Sequence, residues 1–213
     1  MYLVTERRLK RIVEVLNRRQ RDLRVFVENV KNEHNFSAIL RTCDAVGVMY
    51  VHYYYEGESL PINRGISRGS ERWVVLVREE NTLAGLKRLK DEGYQILATH
   101  LGADSVDFRD VDYTKPTVVV LGNEDEGVSD EVLEVADRNI VIPMYGMVQS
   151  LNVSVANALI LYEAQRQRLA AGMYDRPSLT PQEYEYFLKL WTHDRIVEEG
   201  LKRTRDRANP ETS

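Results

Sequence analysis

Short apolar runs alternating with helix-periodic segments constrain the fold of this chain more than any other feature. The runs lie at Leu23–Val27, Met49–Tyr55, Trp73–Val77, Gln95–Thr99, Thr117–Leu121 and Ile140–Ile142. Each has strand length, and the second is rich in Val and Tyr. Between the first two, Phe36, Ile39, Leu40, Cys43 and Val46 fall on one side of a helix, with Asn35 as its expected N-cap and Gly47 as its stop. Further helices are predicted at Leu83–Asp91, near Asp130–Ala136 and at Asn152–Leu169. Residues 56–70 read as an exposed loop. Strands alternating with helices predict an α/β fold, with a largely parallel sheet and helices on both faces.

Two helical extensions flank this domain, which we bound at 21–172. In residues 1–20, Leu9, Ile12, Val13 and Leu16 recur at i, i+3, i+4 and i+7, the pattern of an amphipathic helix. In residues 173–213, Thr180-Pro181-Gln182-Glu183 has the form of a helix start with a reciprocal Thr/Glu cap.

Charge is distributed unevenly. The formal net charge is −4. Residues 1–24 carry eight Arg/Lys against three acids, and residues 104–139 carry eleven acids against three bases. The basic end reads either as an electrostatic footprint for RNA or as a solvated, salt-bridged helix. No apolar run approaches the ~18 residues of a membrane span, so no membrane is expected among its partners. The first residues lack the form of a secretory signal. Cys43 is the only cysteine, which suits a reducing, cytoplasmic compartment.

Three segments carry candidate chemistry. The first runs from His34-Asn35-Phe36-Ser37 to Arg41-Thr42-Cys43-Asp44-Ala45-Val46-Gly47. Ser37, Arg41 and Asp44 lie at i, i+4 and i+7, which predicts one polar stripe. The second, Val118-Val119-Val120-Leu121-Gly122-Asn123-Glu124-Asp125-Glu126-Gly127, is a strand running into an acidic loop between glycines. It matches neither the dinucleotide fingerprint nor a phosphate loop. Its acids suit a cation such as a sulfonium, an ammonium or Mg²⁺, and a turn before an acid-rich helix start reads equally well. The third, Ile142-Pro143-Met144 to Gln149-Ser150-Leu151-Asn152-Val153-Ser154-Val155-Ala156-Asn157, passes from strand through loop to helix. Ser150 and Asn152 suit an N-cap. A capped buried helix does not explain why Asn152, Ser154 and Asn157 are polar at its head.

In this order and at these separations, the three segments resemble the motifs of the SpoU group of SPOUT RNA methyltransferases. The likeness is strong over roughly 23–168. It departs from the family pattern at Phe36 and at Lys31-Asn32-Glu33, which replaces a Pro-containing approach. The resemblance implies a C-terminal trefoil knot and a homodimer with active sites at the subunit interface. It implies S-adenosyl-L-methionine as cofactor, held by Thr99, Gly122, Ile142 and Leu151 with His100 and Met144 nearby, and no metal. Arg41 would be the catalytic residue, supported by Asn35, Glu124, Ser150 and Asn152. The implied reaction is methyl transfer to the ribose 2′-OH of a tRNA guanosine, at position 18 of the D-loop. Ribosomal RNA or another tRNA position is the alternative, as is a catalytically silent RNA-binding protein. RNA contacts are expected from Arg8, Arg11, Arg19, Arg166 and Arg168, and from the basic run at Lys202–Arg207.

Overall fold

The computed structural model describes residues 4–57 and 62–193. The chain divides into two compact units, one of residues 20–174 and one of 1–19 together with 175–213. The second unit contains α1 (Glu6–Asn17), capped by the Thr5 hydroxyl accepting from the Arg8 N–H. Its other described helix covers 181–193. Thr180 and Glu183 cap that helix reciprocally, with N–H to side-chain distances of 2.8 and 3.2 Å, as their spacing predicts. Within this unit the Tyr184 hydroxyl donates to Asn17 Oδ1 and the Ser178 hydroxyl donates to the Arg19 carbonyl. Lys202–Arg207 lie outside the described residues.

The larger unit runs β1 (Leu23–Glu28), α2 (Glu33–Val46), β2 (Tyr50–Tyr54), α3 (Arg64–Ser67), β3 (Val75–Arg78), α4 (Thr82–Asp91), β4 (Gln95–Thr99), β5 (Val106–Asp107), β6 (Thr117–Leu121), α5 (Asp130–Val135), β7 (Arg138–Val141) and α6 (Val153–Ala170). The seven strands form one sheet in the order β3-β2-β1-β6-β4-β7-β5. Every pairing is parallel. A parallel sheet is covered on both faces, so its strands are apolar throughout rather than in alternation. Leu23, Val25 and Val27 of β1 and Val119 and Leu121 of β6 pack with Ile39, Leu40 and Cys43 of α2 and with Ile160, Leu161 and Ala164 of α6. Phe26, Val118 and Val120 point the other way, to Leu86 and Leu89 of α4 and Val132 and Val135 of α5.

Three local expectations change. The cap of α2 is Asn32, not Asn35: its Oδ1 accepts from the His34 and Asn35 N–H groups at 2.9 and 3.2 Å. Asn35 is thereby moved into the first turn, where its side chain is free to act elsewhere. Ser37 does not share a stripe with Arg41. It is fully buried, and its hydroxyl oxygen accepts from the Asn63 N–H. The 56–70 segment is not all loop, since it holds α3 and the start of a 3₁₀ turn at Ser70–Arg72. β5 was not expected; two residues within an acidic stretch are too few for a period to register.

Arg168, near the end of α6, is not a surface RNA contact. Its side chain is fully buried. Nε donates to the Tyr113 carbonyl at 2.8 Å, and Nη1 to Gln20 Oε1 at 3.1 Å and Asp22 Oδ1 at 2.5 Å. Nη2 donates to the carbonyls of Asp22 and Lys115 at 3.3 and 3.1 Å. All five guanidinium donors are used. They tie the tail of α6 to the segments that feed β1 and β6. Removing one partner of a buried, hydrogen-bonded pair costs about 3–5 kcal/mol. Arg168→Ala should therefore lower unfolding stability by about that amount. Arg168→Lys, with three donors in place of five, should recover part of it. Denaturant titration of the three proteins decides the matter, and an Arg168→Ala curve superimposed on wild type would refute the clamp.

Candidate active site

Strands β4, β6 and β7 end side by side, and the chain leaving each carboxyl end turns into one pocket of about 670 Å³. This is where ligands sit in open α/β sheets. β4 contributes Thr99 and His100, β6 contributes Gly122–Gly127, and β7 contributes Ile142, Met144, Ser150, Leu151 and Asn152. The β1–α2 connection adds Asn32 and Asn35 from the side.

The β6 loop is closed on itself. The Asn123 and Gly127 backbones exchange N–H···O bonds of 2.9 Å each. A Cβ built at Gly122 would overlap the Gly127 carbonyl group and the Val128 nitrogen, all backbone atoms that cannot swing aside. Gly127 adopts φ +74°, a left-handed conformation that glycine reaches without steric cost. The glycines of this motif therefore make the loop tight enough for a ligand to approach backbone.

Glu124 is held by three donors. Its carboxylate accepts from the Lys31 N–H at 3.3 Å, the Asn32 N–H at 3.1 Å and Asn35 Nδ2 at 3.0 Å. Local desolvation pushes its pKa up. The bonds from Asn35 and from the backbone N–H groups outweigh that and hold the group below its ordinary range. An acceptor-only carboxylate fixes the orientation of the Asn35 amide. Asn35 Oδ1 then accepts from Asn152 Nδ2 at 2.9 Å. Asn152 Oδ1 in turn caps α6 by accepting from the Ser154 N–H and hydroxyl at 2.9 and 2.6 Å. The polar head of α6 is thus one end of a directional chain, Ser154 to Asn152 to Asn35 to Glu124, which joins all three sequence motifs.

The pocket suits a ligand with an apolar part and a cationic part. Ile140, Ile142, Leu151 and Ile160 supply apolar wall, while Glu124, Asp125 and Glu126 supply negative charge at one side. Thr99 contributes mainly shape, because its hydroxyl already donates to the Val120 carbonyl at 2.9 Å. All six residues expected at the cofactor line the pocket, as do Asn35, Glu124, Ser150 and Asn152. Arg41 does not line it and stands exposed on α2. Asn32, Leu101, Gln149 and Ile160 also line the pocket and were not singled out in the sequence. Asn32 carried a usable signal, since Asn is a preferred N-cap, but Asn35 offered the same signal three residues on.

The expected RNA-binding arginines divide. Arg11 is exposed and lies 3.6 Å from Glu14. Arg166 is exposed and paired with Glu163 at 2.8 Å. Arg8 is half-buried. Arg19 is buried, its guanidinium 5.4 Å from the centre of the Trp191 ring, and with Arg168 it leaves the set of surface contacts. A long basic side chain goes inside when enough acceptors or aromatic faces meet it there.

Comparison with known proteins follows the same lines. The SpoU rRNA Methylase family matches residues 22–162, and the family described as SpoU, rRNA methylase, C-terminal matches residues 166–207. The tRNA (guanosine(18)-2′-O)-methyltransferase of Aquifex aeolicus (strain VF5) is 59% identical over 204 residues, covering 95% of this chain and 96% of the relative. The crystal structure of the A. aeolicus TrmH/SpoU tRNA modifying enzyme matches with a TM-score of 0.85 at 59% identity, over 90% of this chain and 98% of that one. An AdoMet-bound rRNA methyltransferase from Sinorhizobium meliloti matches with a TM-score of 0.62 at 32% identity, over 72% of this chain and 59% of that one. With its three motifs meeting at one pocket and both family signatures present in order, the chain belongs to the SpoU rRNA methylase family.

Proposed function

We propose that this protein transfers a methyl group from S-adenosyl-L-methionine to the ribose 2′-OH of guanosine 18 in tRNA. The observation that carries the reading is the convergence of the three motifs on one pocket, with Asn35 bonded to both Glu124 and Asn152. Near-full-length similarity to a guanosine-18 enzyme supports the substrate. The cofactor supplies an electrophilic methyl on a sulfonium. The protein must align the 2′-oxygen with it, while the hydroxyl proton leaves to water as the methyl–sulfur bond breaks and the methyl–oxygen bond forms. Alignment alone is worth up to about 7–11 kcal/mol. The rigid loops and the Glu124–Asn35–Asn152 chain serve that alignment. A guanidinium is a donor, not a base, so Arg41 acts by steadying charge that develops on the 2′-oxygen and by holding the neighbouring phosphate.

Labelled cofactor incubated with unmodified tRNA, followed by nucleoside analysis, should yield 2′-O-methylguanosine at position 18. Label on ribosomal RNA alone would replace the substrate, and no label on any RNA would overturn the reading. Gly122→Ala should abolish cofactor binding, because its Cβ meets backbone. Arg41→Ala should keep cofactor affinity and lose turnover by about 10²–10³-fold, the scale of one oxyanion donor.

Arg41 serves at the boundary of a homodimer. Val155, Leu159 and Tyr162 lie on one face of α6 at i, i+4 and i+7 and are exposed, as are Tyr145, Met147 and Val148 in the loop before it. A helix that is apolar on most sides is normally covered on most sides, and large apolar side chains exposed on one helix face suit an interface. A second copy is the occupant that leaves Arg41, on the neighbouring α2, beside a site. The wild type should sediment as two copies, and Leu159→Arg with Tyr162→Arg should sediment as one. A monomeric wild type would refute the dimer.

β6 and β7 each enter between strands laid down earlier in the chain, which supports a C-terminal trefoil knot closed by α6. A tRNA-modifying role fits a cytoplasmic location. Arg11, Arg166 and the half-buried Arg8 remain the RNA contacts. Exposed pairs such as those of Arg11 and Arg166 contribute little to stability, so a phosphate displaces the acidic partner at little cost. Affinity for tRNA should fall steeply between about 50 and 200 mM salt; a flat response would remove these contacts.

A further inference from the structure

The turn after β1 is held unusually firmly for a connection. Glu28, at the end of β1, accepts from the Ser129 N–H and hydroxyl at 2.9 and 2.7 Å. Asn29 follows at φ 50°, a left-handed conformation uncommon outside glycine. Such a residue persists where its surroundings over-determine it. Two bonds do so here. The Asn29 N–H donates to the Tyr54 carbonyl at 2.8 Å, and the Asn29 carbonyl accepts from Asn123 Nδ2 at 2.9 Å.

Asn123 is buried, and both ends of its amide are committed. While Nδ2 reaches across to Asn29, Oδ1 accepts from the Asp125 and Glu126 N–H groups at 2.9 and 3.3 Å. The same side chain therefore shapes the pocket loop and grips the turn that leads into α2. Its neighbour Glu124 takes the next two free N–H groups of that turn. We propose that Asn123 is a positioning residue: it makes the β1–α2 turn, and with it Asn35, follow the cofactor loop. Occupancy of that loop is then transmitted to the ribose-facing start of α2, so that methyl donor and acceptor are placed by one rigid body. This rests on the functional reading above for the identity of the ligand.

Asn123→Ser and Asn123→Asp test it together. Both retain an acceptor for the local turn, and both lose the Nδ2 group that reaches Asn29, the Ser hydroxyl being on a shorter side chain; only one adds charge. In both variants kcat on tRNA should fall about 10- to 100-fold, the cost of a small misplacement at the reacting centre, and by more than any loss of cofactor affinity. KM for tRNA should hold. In the wild type, cofactor should slow amide exchange across residues 30–36, and in both variants that protection should be lost. Near-normal kcat with retained protection overturns the proposal. So does a loss of kcat matched by an equal loss of cofactor affinity, or failure of both variants to fold, since Asn123 would then be a folding residue. If the wild type transfers no methyl group to tRNA yet shows cofactor-dependent protection that the variants lack, the positioning role stands and the substrate assignment falls.

Discussion

The buried guanidinium of Arg168 is the interaction on which the rest of the larger unit depends. A lone buried charge costs several kcal/mol, and a buried pair is retained only where geometry is good and every remaining donor is met. Here five donors meet five acceptors drawn from Gln20, Asp22, Tyr113 and Lys115. Those residues lie where the chain enters β1 and β6, the two central strands. The clamp therefore fixes the tail of α6 against the amino ends of the same strands whose carboxyl ends build the pocket. α6 is anchored at its head as well, through Asn152 to Asn35. A helix pinned at both ends across the sheet transmits the sheet's geometry to the site.

Polarity in the site descends from Glu124. An ionised carboxylate only accepts, so the Asn35 amide must present its nitrogen to it and its oxygen to Asn152. Asn152 must then present its own oxygen to Ser154. Three side chains are oriented by one charge, and the bonds that hold Glu124 also keep it charged. Residues that look redundant as polar groups are thus sequential, each setting the direction of the next.

Arg41 and the pocket are separate in the structure. The residues expected at the cofactor and the amide chain line one pocket, whereas Arg41 stands outside it on α2. The exposed face of α6 and the preceding loop carry large apolar side chains. Both observations are what the proposed homodimer rests on, since an exposed apolar face and an arginine outside the pocket are what a second copy would complete.

Much was legible without coordinates. Strand runs such as Gln95–Thr99 and Thr117–Leu121 match the structure because burial on both faces leaves an uninterrupted apolar signature. The cap at Thr180 and Glu183 is legible because its partners are three residues apart. The three motifs, read together, brought the pocket residues into one group. Decisions that depend on distant partners were not legible. Asn32 and Asn35 are equal as caps until Glu124 claims the Asn35 amide. Ser37 reads as surface until Asn63 arrives above it, and Arg19 and Arg168 read as RNA contacts until Trp191 and the Asp22 cluster enclose them. Local spacing determines which elements form, because helix and strand periods act between near neighbours. Only the tertiary structure decides where a long polar side chain goes, because that depends on whether enough acceptors from remote segments meet it in the interior.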